Sequence, residues 1–318
     1  MPIIAHPSNI NNEDETNKFY RKTNSLNNQG STSIGNILFI LFFCLKLSYD
    51  FNDKCYCNSI NKWCSKKMEN INQSKTIFRN INTTKVKFKN KFTKLDLKKI
   101  ENLNYDFHKY PDIKKILNEG LVVENTIIPW FLPLEYVKKI QKIFQPDNEN
   151  LKYIYSKYKK YLDKNTCSIH YRTYNKDFDT DHNKKQLKSK SETLKKVIDI
   201  NFHSIDYFLV FSDDMVYTKK FIKINFKENK FIFINERDFI DIWIMSLCKN
   251  NIGFYESSFF ICSVLLNKNK NKKVHAIKRL NLNPKKKVNL IKNNINNYNF
   301  DNVVKYYKWN IYNWEFDN

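Results

Sequence analysis

Three short segments of this sequence combine residue types that suit a phosphorylated ligand. In the segment HYR (170–172), the guanidinium of Arg172 can donate two parallel hydrogen bonds to a phosphate. In ESSF (256–259), two hydroxyl residues stand at the predicted start of a helix, where free backbone N–H groups bind anions. Asp241 lies within the apolar stretch DFIDIWIMSLC, so its carboxylate must be paired. A base with two adjacent N–H donors, such as guanine, would pair with it.

Strands that alternate with helices position these segments. The pattern predicts strands at 166–171, 206–211, 231–234 and 251–255, and helices at 191–200, 216–222, 239–248 and 258–266. This alternation implies an α/β fold with a parallel, doubly wound sheet. Ligands of such sheets bind beyond the carboxyl ends of the strands. We therefore expect residues 171–175, 212–214 and 256–258 to converge on one crevice.

The first half of the chain is less regular. We predict a short strand at 3–5, a helix at 36–49, an amphipathic helix between Pro133 and Pro146, and a helix at 151–162. Residues 1–30 are polar and Asn-rich and are expected to be flexible, whereas 50–82 is rich in Asn, Lys and Cys and is interpreted as an insertion. The predicted domains are an N-terminal α/β domain at 31–160 and a C-terminal α/β domain at 161–318.

Four of these segments together resemble the α-1,2-fucosyltransferases, which belong to a wider group with the α-1,6- and protein O-fucosyltransferases. The resemblance rests on SIGNILFILFFCLKLS (33–48), HYRTYNKD (170–177), YFLVFSDDMVYTKKF (207–221) and DFIDIWIMSLCKNNIGFYESSF (238–259), which occur in the family's order. It implies a GT-B architecture of two Rossmann-type domains, with the donor site in the C-terminal one. It also implies GDP-fucose as donor, a galactose-like hydroxyl as acceptor in α-1,2 linkage, inversion at the sugar carbon, and no metal or other cofactor.

The resemblance also implies roles for individual residues. Arg172 would be catalytic, because it would bind the donor diphosphate and stabilise the GDP leaving group. His170 would line the nucleotide crevice, and Asp241 would bind the guanine. The remaining donor-binding residues would be Gly35 and Asn36 in a facing turn, Ser212 and Asp213 at the crevice floor, and Ser257 and Ser258 at the phosphates.

The sequence departs from the family pattern within the HYR segment. The family motif reads H-x-R-R-G-D, and here Thr173 and Asn175 replace the second arginine and the aspartate. Asp177 or Asp179 could supply that carboxylate, although neither is at the matching position, and we assign Asp177 as the second catalytic residue. Glu256 also replaces an asparagine. A catalytically degenerate relative that binds a nucleotide or glycan is therefore the second hypothesis.

The charge of the chain favours anionic partners. Lys and Arg number 55 against 32 Asp and Glu, which gives a net charge of +23. A basic nucleic-acid-binding protein is therefore a third hypothesis. We find no helix-turn-helix, zinc-finger or RNA-binding signature, and the lysines are spread along the whole chain, so nucleic acid is the least favoured partner.

The cysteines and the most apolar segment bear on the compartment. Seven cysteines without a pairing framework indicate a reducing compartment. Cys55, Cys57 and Cys64 cluster, but no fourth ligand lies nearby, which argues against a zinc site. The apolar run at 37–45 is too short to span a membrane and lacks the features of a signal peptide. We expect a cytoplasmic protein without a membrane-spanning segment, with peripheral membrane association as an alternative.

Overall fold

The chain divides into two units, each built on a parallel sheet. The computed structural model describes residues 3–5, 34–52, 55–58, 75–81, 83–84, 93–94, 121–123, 134–173, 181–226, 228–279 and 310–314. The first unit comprises residues 1–144 with 298–300, and the second comprises 145–297 with 301–318. The division follows residue 144, earlier in the chain than the predicted boundary at residue 160.

The first unit contains a five-stranded parallel sheet. Its strands are β1 (Ile3–Ala5), β2 (Cys55–Asn58), β3 (Thr83–Thr84), β4 (Thr93–Lys94) and β5 (Leu121–Val123), in the order β3-β2-β1-β5-β4. The predicted strand at 3–5 is thus the central strand of this sheet. Strand β2 pairs with β1 although it comes from the segment 50–82 that we interpreted as an insertion. Part of that segment is therefore integral to the sheet. Its short sequence CYCN stands in an Asn- and Lys-rich segment and gave no pattern that indicated a strand.

Two helices of the first unit match the sequence prediction. They are α1 (Ile34–Asp50) and α2 (Leu134–Phe144). In α1, Ile37, Leu38, Leu41 and Phe42 are fully buried. The ring of Phe42 contacts that of Phe144 in α2, with centroids 5.3 Å apart. Within the described part of the chain, none of the helices combines the length and apolarity needed to span a bilayer.

The second unit contains a six-stranded parallel sheet. Its strands are β6 (Thr166–Tyr171), β7 (Tyr207–Ser212), β8 (Phe231–Phe233), β9 (Asn250–Phe254), β10 (Lys273–Arg279) and β11 (Asn310–Trp314), in the order β11-β10-β9-β6-β7-β8. Helix α3 (Asn148–Leu162) precedes β6, and the connecting helices are α4 (Asp181–Asn201), α5 (Met215–Asn225), α6 (Asp238–Leu247) and α7 (Ser258–Leu266). The chain runs outward from β6 to β8 and returns to the other side of β6 at β9. The strand order therefore reverses between β6 and β9, which is the switch point where doubly wound sheets bind ligands.

The predicted alternation is confirmed in this unit. The strands predicted at 166–171, 206–211, 231–234 and 251–255 agree with β6 to β9 to within one residue at each end. Helix α4 begins at Asp181, whereas the sequence predicted a start at residue 191. The prediction missed the first turns because their sequence, DHNKKQ, is polar and shows no apolar periodicity. Strands β10 and β11 were not predicted, since lysine and asparagine interrupt their apolar residues.

Both faces of the second sheet are covered. All six residues of β6 are buried, as expected for an internal strand of a parallel sheet. On one face, Ile169 and Tyr171 belong to an apolar cluster with residues of α4 and α5. On the other face, Ser168 accepts a hydrogen bond from Asn251 Nδ2 at 2.7 Å. The alternation along β6 therefore places His170 on the same side as Ser168, away from the apolar cluster.

Candidate functional site

Arg172 follows the carboxyl end of β6 at the switch point. Its Nη1 lies 3.4 Å from Oδ2 of Asp213, which follows the adjacent strand β7. The Arg172 side chain is 38% exposed, so the guanidinium reaches the solvent edge of the sheet. A guanidinium oriented by a carboxylate at this edge can bind an anionic ligand.

Asp213 connects the ends of β6 and β7. Its Oδ1 accepts hydrogen bonds from the backbone N of Thr173 at 2.7 Å and from Thr173 Oγ1 at 3.1 Å, while Oδ2 contacts Arg172. Thr173 therefore uses both of its donors to hold Asp213. The carboxylate in turn restrains the residues that carry the guanidinium, so Asp213 positions Arg172.

Ser212 and Asp214 stabilise the turn between β7 and α5 by hydrogen bonds of their side chains. Ser212 Oγ donates to the carbonyl of Tyr171 at 2.8 Å, and it accepts from Thr218 Oγ1 at 2.8 Å. Asp214 is the N-cap of α5, and its Oδ1 accepts from Tyr217 N at 2.9 Å. The hydroxyl of Ser212 thus joins two strand ends, and its role at a crevice floor stays a prediction.

The other side of the switch point is the start of α7. Ser257 is the N-cap of this helix and is 5% exposed, and its Oγ accepts from Phe260 N at 3.4 Å. Gly253 on β9 allows α7 to pack closely, because a Cβ there would lie 2.4 Å from the Phe260 ring. Ser258, the first residue of α7, is half-buried. The N-terminus of α7, which attracts anions, is therefore held against the end of β9.

His170 connects β6 to this helix start. Its Nδ1 lies 3.3 Å from Ser257 Oγ, and its ring stacks on Phe259 with centroids 5.0 Å apart. Burial lowers the pKa of His170 to about 4, with the Arg172 charge in the same direction and the Asp213 charge opposing it. The imidazole is therefore neutral near pH 7. It positions Ser257 and Phe259 rather than adding positive charge to the crevice.

Asp241 lies in the first turn of α6, beyond the carboxyl end of the edge strand β8. Its side chain is buried, and its Oδ1 accepts from the backbone N of Glu236 at 3.2 Å. The carboxylate of Asp241 thus holds the backbone of the loop before α6.

Glu236 is a residue of this region that the sequence analysis missed. Its carboxylate accepts hydrogen bonds from Tyr158 OH at 2.6 Å, Tyr153 OH at 2.8 Å and Lys157 Nζ at 3.0 Å, all on α3. Burial alone would raise the pKa of Glu236, but these hydrogen bonds outweigh it and the pKa lies below its usual value. Burial and the Glu236 hydrogen bond together raise the pKa of Tyr158. These contacts anchor the loop before α6 to α3. No motif or spacing in the sequence indicated that Glu236 contacts α3.

The structure brings Arg172, Asp213, Ser212, His170 and Ser257 together at the ends of β6, β7 and β9. Gly35 and Asn36 lie in the first turn of α1 in the other unit, and their role in a facing turn stays a prediction. Asp177, the second predicted catalytic residue, lies outside the described residues.

Four of the described cysteines, Cys44, Cys167, Cys248 and Cys262, are buried free thiols. Among the residues placed by the structure, no group of three or more His, Cys, Asp or Glu side chains could hold a metal ion. Cys55 and Cys57 lie on β2, and Cys64 is outside the described part. Burial raises the pKa of the Cys167 and Cys248 thiols, so both stay protonated at neutral pH.

Comparison with known proteins identifies the fold. No protein-family model matches this sequence, and no curated protein sequence matches it either. The structure is similar to a crystal structure of the selenomethionine-labelled fucosyltransferase NodZ from Bradyrhizobium, with a TM-score of 0.50 and 11% identity over 74% of this chain and 89% of that one. A second crystal structure of NodZ matches with a TM-score of 0.50 and 10% identity over 74% of this chain and 90% of that one. This chain therefore has an α/β fold of the fucosyltransferase kind, and the predicted fold class is confirmed.

Proposed function

We propose that this protein is a glycosyltransferase of the fucosyltransferase type, which transfers fucose from GDP-fucose to a sugar hydroxyl. The observation that carries this proposal is the arrangement of the switch point, where Arg172 and the N-terminus of α7 follow adjacent strands. The motif resemblance and the fold shared with NodZ support it.

In this proposal the donor diphosphate lies between Arg172 and the first N–H groups of α7. The leaving GDP gains negative charge as the glycosidic bond breaks, and a preorganised guanidinium with helix N–H groups stabilises that charge. These groups supply the positive charge that a metal would otherwise provide. Asp241 binds the guanine, and the Glu236 cluster holds the loop that carries this pocket.

The proposed transfer is a single displacement. The oxygen of the acceptor hydroxyl attacks C1 of fucose on the face opposite GDP and forms the new C–O bond. The bond from C1 to the β-phosphate oxygen breaks, its electron pair leaves with GDP, and the hydroxyl proton passes to the carboxylate of Asp177. Gly35 and Asn36 contribute from the first unit, and by resemblance the acceptor is galactose-like with an α-1,2 linkage.

A second candidate is a relative that binds the donor or a glycan without turnover. Thr173 favours it, because the N–H and hydroxyl of Thr173 are both bound to Asp213 at the position where the resembled family has a second arginine. This arrangement leaves the diphosphate with one arginine at the end of β6.

Calorimetric titration of the full chain with GDP, ADP and UDP, without metal, tests both candidates. We expect GDP to bind at least about tenfold more tightly than ADP, because adenine lacks the paired N–H donors that Asp241 requires. Incubation with GDP-fucose and a panel of galactose-containing acceptors should then release GDP. Selective GDP binding without transfer would support the second candidate. The absence of GDP binding would contradict the first candidate and would leave only the glycan-binding form of the second.

A further inference from the structure

Helix α5 presents a basic and aliphatic surface that the proposed donor site does not use. Val216, Lys219, Lys220, Lys223 and Ile224 follow the spacing i, i+3, i+4, i+7 and i+8, which places them on one face of the helix. Val216 is 83% exposed and Ile224 is 70% exposed, and the three lysines between them are exposed as well. We call these five residues the α5 stripe.

The opposite side of α5 is packed in the core. Thr218, Phe221 and Ile222 are buried, and Phe221 and Ile222 belong to the apolar cluster on the sheet. The stripe therefore lies on the solvent-exposed side of the helix, where Lys219 Nζ lies 5.5 Å from the centroid of the Phe233 ring on the edge strand β8. No acidic residue occurs between Met215 and Asn225, so the stripe has a purely positive charge.

The surface beside the stripe has a similar character. A cavity of about 360 Å³ lies between α4 and α5 and is lined by Leu187, Lys188, Ser191, Glu192, Lys195, Tyr217, Phe221 and Asn225. Its lining combines apolar and aromatic residues with two lysines and one glutamate. The combination of lysine with apolar side chains thus extends from the stripe towards α4.

We propose that the α5 stripe docks this protein on the surface of an anionic phospholipid bilayer. Helix α5 lies in the plane of the headgroups, its lysines contact the anionic lipids, and Val216 and Ile224 enter the apolar boundary. Each lysine near such a surface raises partitioning about fivefold, so the three together raise it on the order of 100-fold. A nucleic acid would use the lysines but would leave both aliphatic side chains in water, and the stripe therefore fits a lipid surface better. This inference does not depend on the proposed transferase activity.

Flotation of the full chain with lipid vesicles at physiological ionic strength tests the proposal. We expect binding to vesicles of phosphatidylcholine with about one third phosphatidylserine, and little binding to vesicles of phosphatidylcholine alone. The variant V216S/I224S keeps the charge and should bind about tenfold more weakly. The variant K219Q/K220Q/K223Q should lose on the order of 100-fold.

A matched control separates the stripe from the overall charge of +23. The variant K152Q/K159Q/K160Q removes three exposed lysines from α3 in the same unit. It should bind vesicles as wild type does, and circular dichroism melting should show that all three variants are folded. Equal weakening by the α3 variant, undiminished binding by V216S/I224S, or no binding to anionic vesicles would overturn the proposal. Lysine-dependent binding of a duplex RNA without vesicle binding would overturn it in favour of nucleic acid.

Discussion

Replacement of Arg172 by alanine should weaken GDP binding strongly and leave the protein folded. The side chain is 38% exposed and its contact with Asp213 is 3.4 Å long, so the ion pair contributes at most about 1 kcal/mol to the free energy of unfolding. Asp213 also keeps two hydrogen bonds from Thr173 in the variant. The turn that joins β6 to β7 should therefore persist without the guanidinium.

The effect on binding should be much larger than the effect on stability. A hydrogen bond to a charged group contributes about 1.5–3 kcal/mol, and a guanidinium that spans two phosphate oxygens makes two of them. A net loss of about 3 kcal/mol raises the Kd for GDP by roughly two orders of magnitude. The variant Arg172→Lys keeps the charge but loses the planar fork, so we expect about a tenfold increase in Kd.

Calorimetric titration with GDP measures these values, with thermal melting as the check on folding. Lys196→Ala is the matched control, because Lys196 is an exposed cation on α4 of the same unit and its loss changes the net charge equally. An unchanged GDP affinity in folded Arg172→Ala would refute the assigned role. An equal loss in Lys196→Ala would show that general charge, rather than the geometry at β6, governs binding.

Three further predictions concern the residues around Arg172. Gly253→Ala should lower the free energy of unfolding by about 1–3 kcal/mol in urea denaturation and weaken GDP binding, because the added Cβ displaces Phe260 and with it the start of α7. Glu236→Gln should flatten the pH dependence of stability below pH 4.5. The usual pKa of a glutamate is 4.5, and the fold lowers the pKa of Glu236. The stabilisation by the ionised Glu236 is therefore lost as the pH falls from 4.5 through the folded pKa, and the glutamine variant lacks this loss. The free energy of unfolding should also fall as the pH decreases from 6.5 to about 4, because His170 accepts a proton in the unfolded chain before it does in the fold. His170→Asn should reduce that slope by up to about 1.4 kcal/mol per pH unit.

Each of these predictions has an outcome that contradicts it. A Gly253→Ala protein with wild-type stability would mean that α7 does not depend on close contact with β9. Parallel stability curves for Glu236→Gln and wild type below pH 4.5 would show that the α3 cluster is not linked to folding. An unchanged slope for His170→Asn would mean that other groups, such as the buried His275, account for the pH dependence.

The sequence predicts β6 to β9 and the helices that connect them, because most of these elements are short apolar runs closed by polar residues. The strand at 166–171 and the helix at 258–266 have the predicted bounds. The pattern does not reveal the first turns of α4, where lysine, glutamine and asparagine replace apolar positions. It also misses β2, whose four residues CYCN stand in an Asn- and Lys-rich segment. These elements form through contacts with other parts of the chain, such as the pairing of β2 with β1. The local sequence pattern does not encode such contacts.

The convergence of several strand-end segments follows from the sequence itself, because parallel strands that alternate with helices bring their carboxyl ends to one edge. The partners of each side chain depend on strand order and on contacts between distant segments. Asp213 binds Thr173 from 40 positions away, and Glu236 binds Tyr158 from 78 positions away. The neutral state of His170 likewise depends on its burial against α7. Hydrogen bonds and desolvation depend on distance in space, and only the tertiary structure sets that distance.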